Sequence, residues 1–274
     1  MILKLALLAG VVLLVVANGI RAHQLEPFWL LRKPLLALRA MVAMYVALPA
    51  FVLALVWLLP LKEGVGAVLL GFAVSPVLPP WAKKGVALGG QGDYVISLQL
   101  LSSAVALLVV PLMITLAYQV FGVQTSLGPW AVERVLLVTV AAPLALGLGL
   151  ARLFPGVAPR LAALAERLGA VVLVLGVGVL LGVQGRLILG VLNQGTLVVT
   201  LTVVAFGLLV GQGLGGPDAG NRAALTSATV SRHPAIALLI ASGAFPDHEA
   251  TLIGTVLLYL LASLLLPIPF ERRA

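Results

Sequence analysis

Long apolar runs, cut at intervals by short polar stretches, set the pattern of this chain. A helix that crosses a bilayer needs about 20 mostly apolar residues. On that measure the first span covers about 2–20 and the second about 34–59, where Pro49 is expected to kink it. A basic loop with Arg21, His23, Glu26, Arg32 and Lys33 lies between them. The third span begins near Val65, is interrupted at Pro76, Pro79 and Pro80, and resumes from Trp81 to about Gly89. A turn at 89–93 leads into a fourth span at about 94–121, which carries Pro111. After a polar, uncharged connection at 124–129, three spans fall at about 130–153, 168–183 and 195–214. The eighth begins near Ala219, breaks at Arg232-His233-Pro234 and resumes to about Ser242. The ninth covers about 250–267 and is followed by Glu271-Arg272-Arg273.

Two of the nine spans are therefore broken, and both breaks combine proline with positive charge. A charge at the bilayer centre costs roughly 2.5–3.5 kcal/mol even on the most lenient scale. The chain divides into halves, 1–123 and 130–267, with a tail at 268–274. Each half ends on a broken span, a short turn and a whole span. An odd number of crossings separates the two breaks, so the copies run in opposite directions through the membrane. This is the hydropathy pattern of an inverted-repeat secondary transporter, all-α, with two discontinuous helices and a binding site near the midplane. Half-helix N-termini there present partial positive charge and free N–H groups.

Composition agrees. Of 274 residues, 62% are hydrophobic and only 9% charged, with a mean hydropathy of +1.19. Soluble domains carry about 25% charged residues. The net charge of +8 is assigned to cytoplasmic loops rather than to nucleic-acid binding. With the N-terminus outside, the loops at 21–33, 152–167 and 271–273 fall inside. They hold Arg21, Arg32, Lys33, Arg152, Arg160, Arg167, Arg272 and Arg273. The outer loops hold Lys62 and Arg186 against Glu63, Asp247 and Glu249. The expectation is an integral protein of the inner (plasma) membrane with a cytoplasmic C-terminus. The run at 2–16 has the look of a signal peptide but continues to Ile20 without a small-x-small cleavage site, so it reads as a retained helix. There is no Cys, and His23, His233 and His248 are scattered, so no metal centre or cofactor is expected.

Three stretches resemble the bile acid:sodium symporter family. Ala43-Met44-Tyr45-Val46-Ala47-Leu48-Pro49 and then Gly66 to Pro76 follow the family's helix ending in A-Q-x-x-x-x-P and its G-x-x-x-x-G-x-x-P break. Gly92-Asp93-Tyr94-Val95-Ile96-Ser97 follows its G-[ND]-x-x-L-S. Ser231-Arg232-His233-Pro234-Ala235 stands where the family has E-x-G-x-Q-N-S. The resemblance runs from about Pro34 onward and implies alternating access, a panel rocking against a core. In the family two sodium ions sit at the crossing, held by carbonyl and side-chain oxygens. Here the Ser-Asn ligand pair falls on Lys83-Lys84, or on Pro79-Pro80 when counted from Gly71. The glutamate falls on Ala228, the glutamine on Arg232, the following Asn on His233, and the glutamine of the preceding helix on Met44. Ser97 survives as an oxygen donor, with Gln99 nearby. Sodium needs oxygen ligands, so the expected function is sodium-independent carriage of a small organic anion, with a sodium-coupled symporter as the alternative.

Lys83, Lys84 and Arg232 then have three candidate roles. Each can stand as a tethered cation at the crossing, bind the carboxylate of an anionic substrate, or couple transport to protons through a desolvated lysine. Against these stands snorkelling of the lysines into interfacial water. Thr229 and Ser231 with Ser75, Thr226 and Ser227 line a polar cavity or satisfy carbonyls freed by the breaks. His233 reads as a polar group hydrogen-bonded within the crossing.

Gly90-Gln91-Gly92-Asp93 also matches the GxGD pattern of intramembrane aspartyl proteases, whose chemistry needs two carboxylates sharing a proton. Its candidate partner, Asp218, lies in a Gly-Pro turn, and both aspartates read more simply as helix N-caps. No enzymatic activity is expected. Trp29, Trp57, Trp81 and Trp130 read as interfacial anchors, and the glycines at 176, 178, 182 and 185 as a surface for close helix packing.

Overall fold

A computed structural model describes residues 2–23, 25–121, 134–135, 137–192 and 195–271. The expected connection at 124–129, Trp130, and Arg272 and Arg273 lie outside the described residues. In chain order the helices are α1 (Ile2–Ala22), α2 (Pro34–Leu58), α3 (Val65–Val74), α4 (Trp81–Ala87), α5 (Gly92–Phe121) and α6 (Leu137–Leu153). There follow α7 (Ala158–Gln184), α8 (Arg186–Leu192), α9 (Thr196–Leu214), α10 (Ala219–Val230), α11 (Pro234–Ala244), α12 (Glu249–Leu265) and a last turn, α13 (Ile268–Glu271). Among the described residues no strand forms. Six helices among the described residues are long and apolar enough to cross a membrane, and α3, α6 and α11 are shorter apolar helices. The chain is an all-α membrane protein.

Pro49 does not break α2. Its effect is taken up by a π turn over Ala43–Ala47, just upstream, which widens the ring that the proline would otherwise crowd. α7 begins ten residues before the span expected from hydropathy, because Pro159 fits a first helical turn, where its missing N–H costs nothing. The early turns are held by Ala158 and Ala162, buried with Val16 and Ile20 of α1 and Ala151 of α6.

Two bodies result. α1, α6 and α7 pack mainly on one another. A Cβ built on Gly19 of α1 would lie 3.0 Å from Gly147 Cα of α6, so only glycine permits that approach. One built on Gly10 would lie 3.2 Å from the Gly169 carbonyl of α7. Gly178 and Gly182, expected to pack closely, instead face open space.

The second body holds the main core. α3 is buried along its whole length, against α11 and α12. Phe72 stacks on Tyr259 with centroids 3.9 Å apart, and Phe51 stacks on Phe206 at 3.8 Å. α4 packs on α10, and α10 on α9. The start of α6, through Val140, joins this core.

Candidate functional site

The two breaks meet. Residues 75–78 and 231–233 run as short non-helical stretches that pair in an antiparallel bridge between Val77 and Arg232, and a turn at 79–80 leads into α4. The Leu78 N–H donates to the Ser231 carbonyl at 2.9 Å, and the His233 N–H donates to the Pro76 carbonyl at 3.0 Å. The same His233 N–H lies 3.1 Å from Ser75 Oγ, which itself donates to the Phe72 carbonyl. Prolines explain the local shape. Pro76, Pro79 and Pro80 supply no N–H to continue α3, and Pro234 starts α11 where none is needed. Backbone groups freed in the membrane interior must be satisfied by protein, and here each break supplies partners to the other.

Arg232 occupies the centre of this crossing and is 1% exposed. Its Nη2 donates to the Ala73 carbonyl at 2.6 Å and to the Met44 carbonyl. Both acceptors are orphans of the local sequence. In the π turn the Leu48 N–H reaches back to Ala43 rather than Met44, and Pro49 has no N–H to offer. Ala73 lies in the last turn of α3. There Pro76 has no N–H, and the Val77 N–H goes to Ser102 Oγ at 3.4 Å. Arg232 also sits just past the C-terminus of α10, so one positive charge serves the negative ends of two half-helices. The ring of Tyr45 lies beneath the guanidinium, with Cζ 5.1 Å from its centroid.

Around this centre, Tyr45 Oη donates to the Ser102 carbonyl at 2.6 Å and Tyr259 Oη to the Val230 carbonyl at 3.2 Å. Gln99 Nε2 of α5 and Asn18 Nδ2 of α1 both donate to the Pro79 carbonyl, at 3.3 Å and 2.9 Å. Nε and Nη1 of Arg232 and both ring nitrogens of His233 are buried without a hydrogen-bond partner among the described residues. The centre thus has donors available beyond those used for its own backbone.

The expected site residues separate on this geometry. Arg232, His233, Ser231, Pro76, Pro79, Pro80, Pro234 and Gln99 lie at or beside the crossing. Thr229 is buried one turn back on α10, where its hydroxyl meets the carbonyls of Gly207 and Thr226, which serves helix packing. Ser97 is buried but turned to the loop at 25–33, where its Oγ accepts from the Leu30 N–H at 2.9 Å. Lys83 lies well away on α4, with its side chain 73% exposed and its Nζ 2.8 Å from Glu166 of α7. Lys84, beside it, is half-buried. Trp81 is buried at the start of α4 rather than at an interface, whereas Trp57 is 81% exposed. Asp218 caps α10 by accepting from the Asn221 N–H at 2.7 Å. Asp93 accepts from the Glu26 N–H at 2.7 Å, so it ties the basic loop to α5 instead of capping its own helix. The described residues include no cluster of potential metal ligands.

No protein-family model matches the chain, and no curated protein matches it. Function rests on the site itself.

Sequence reasoning passed over Asn18, Tyr45, Glu166 and Tyr259. Asn18 and Glu166 each carried a usable signal, a lone polar residue within or beside an apolar span. The two tyrosines carried none, because an aromatic in a membrane helix is unremarkable until its hydroxyl has a target.

Proposed function

We propose that this protein is a secondary transporter that carries a small organic anion, such as a carboxylate, by alternating access and without sodium. One observation carries the reading: a buried guanidinium bonded to two orphaned backbone carbonyls where two broken helices cross. Carbonyl oxygens so arranged are the ligands a hard cation takes. A side chain that brings its own charge there removes the need for an ion. The remaining donors of Arg232 and His233, with the N-terminus of α11, suit an anionic group.

In this reading there are nine crossings: α1, α2, α3 with α4, α5, α6, α7, α9, α10 with α11, and α12. α3–α5 and α10–α12 are taken as inverted copies, a reading supported by the cross-packing of α3 on α11 and of α4 on α10. The face carrying Arg21, Arg32, Lys33, Lys83, Arg152, Arg160, Arg167 and Arg222 is cytoplasmic by the positive-inside rule. The N-terminus then lies outside and the C-terminus in the cytoplasm of the inner (plasma) membrane. The body of α1, α6 and α7 rocks against the other. A proton remains the candidate coupling ion.

Reconstitution tests this. Liposomes containing the protein and a panel of radiolabelled monocarboxylates should show saturable uptake and counterflow that are equal in sodium and potassium buffers. Uptake that requires sodium overturns the sodium-independent reading. Non-saturating flux through the whole panel indicates a channel.

A further inference from the structure

Glu166 lies on the face that carries most of the arginines, where the two bodies meet. It projects from α7 with its side chain 13% exposed, between two cations of different origin. Arg21 of α1, in its own body, holds Oε2. Lys83 of α4, in the body that contains the crossing, holds Oε1 at 2.8 Å. α4 is the second half of the first broken helix, so this ion pair reaches directly from one body to the element that forms the crossing. Nearby, Asn18 of α1 reaches the Pro79 carbonyl at the break itself. At the opposite face the contacts between bodies are of another kind. Val140 of α6 is buried in the main core, and α12 also touches α7.

The difference has a physical consequence. Apolar contacts lose their stabilisation when pulled apart in water. An ion pair with one highly exposed partner exchanges its bond for hydration at little cost. Separation of the bodies is therefore easiest on the Glu166 side, with the apolar contacts acting as the hinge.

We propose that Glu166 and Lys83 form a latch that holds the two bodies together on this face and opens when they part. Arg21 is a positioning residue: it lies in the same body as Glu166 and keeps the carboxylate aimed across the gap. The latch rests on the carrier reading for its purpose but not for its detection.

The natural chain has no cysteine, so spin labels can be placed without background. Arg160→Cys on α7 and Ala87→Cys on α4 are exposed positions on the two bodies at this face. Pulsed electron–electron resonance between them, on the full chain in lipid nanodiscs, reads the separation. Glu166→Gln, nearly isosteric, and Lys83→Gln, at an exposed site, should each raise the longer-distance population by about two- to fivefold. Lys83→Arg should leave the distribution as in the parent. Raising salt from about 0.05 M to about 1 M should lengthen the parent distances through screening, and should do nothing in Glu166→Gln. Distances in both Gln variants that overlay the parent at either salt overturn the latch. If the distances shift while no anion crosses the membrane, the latch stands and the carrier reading fails. If uptake persists with unchanged distances, the latch alone fails.

Discussion

Pro49 and Arg232, far apart in the sequence, are linked through one oxygen atom. The proline and the π turn before it strip the Met44 carbonyl of its helical donor, and Arg232 supplies the replacement. The Ala73 carbonyl is orphaned by the first break and satisfied by the same nitrogen. Irregularities in three segments of the chain are thus closed by a single side chain from the last of them.

Removing that side chain should expose the dependence. Arg232→Met leaves two buried carbonyls without a donor, at about 1–3 kcal/mol for each unsatisfied group. A lower melting temperature is expected in detergent, read by tryptophan fluorescence. Arg232→Lys, which keeps the charge as a single point without the planar fork, should fall between parent and Met. The parent itself should melt at the same temperature in sodium and potassium chloride. A melting curve for Arg232→Met that overlays the parent would return the residue to a passive role.

Glycines separate the crossing from the periphery. A Cβ at Gly71 would sit 2.8 Å from the Ala237 Cα and 2.9 Å from its carbonyl oxygen, where α3 meets α11. Gly71→Ala should destabilise by about 1–3 kcal/mol through backbone displacement. Gly178→Ala meets nothing within 4 Å and should be neutral, or stabilising by about 0.5–1 kcal/mol as a helix-interior replacement. Equal melting temperatures for the two variants would contradict the close packing of the broken helices.

Asp93 is assigned a structural task by its bond to the Glu26 N–H. Asp93→Ala should free the loop at 25–33 and speed tryptic cleavage after Arg32 several-fold, since the Lys33–Pro34 bond is not a tryptic site. Asp93→Asn keeps an acceptor oxygen and should be cut at nearly the parental rate. Loss of a proteolytic activity on a test membrane helix in Asp93→Asn would instead favour the aspartyl-protease chemistry.

Much of the helical framework was legible in the chain. Its spans follow from runs of apolar residues, because backbone in a bilayer has few alternatives to helix. The breaks were legible too, since Pro76, Pro79, Pro80 and Pro234 withhold N–H groups wherever they stand. The start of α7 was not. Arg160 and Arg167 read as loop charges, and only burial of Ala158 and Ala162 against α1 and α6 extends the helix through them. The cations were legible only in part. Arg232 lies deeper in its span than Lys83 and Lys84 in theirs, but each is a charge beside a proline break, and the sequence does not say what any of them meets.

Hydropathy and missing N–H groups are local properties, so the order of residues alone makes the protein helical, membrane-embedded and twice interrupted. Which polar residues serve the interruptions is a matter of how the helices pack. That choice depends on which orphaned carbonyls come within reach of which donor. Arg232 finds two of them at the crossing and is buried there, while Lys83, on the far half of its broken helix, meets Glu166 at the edge of the other body.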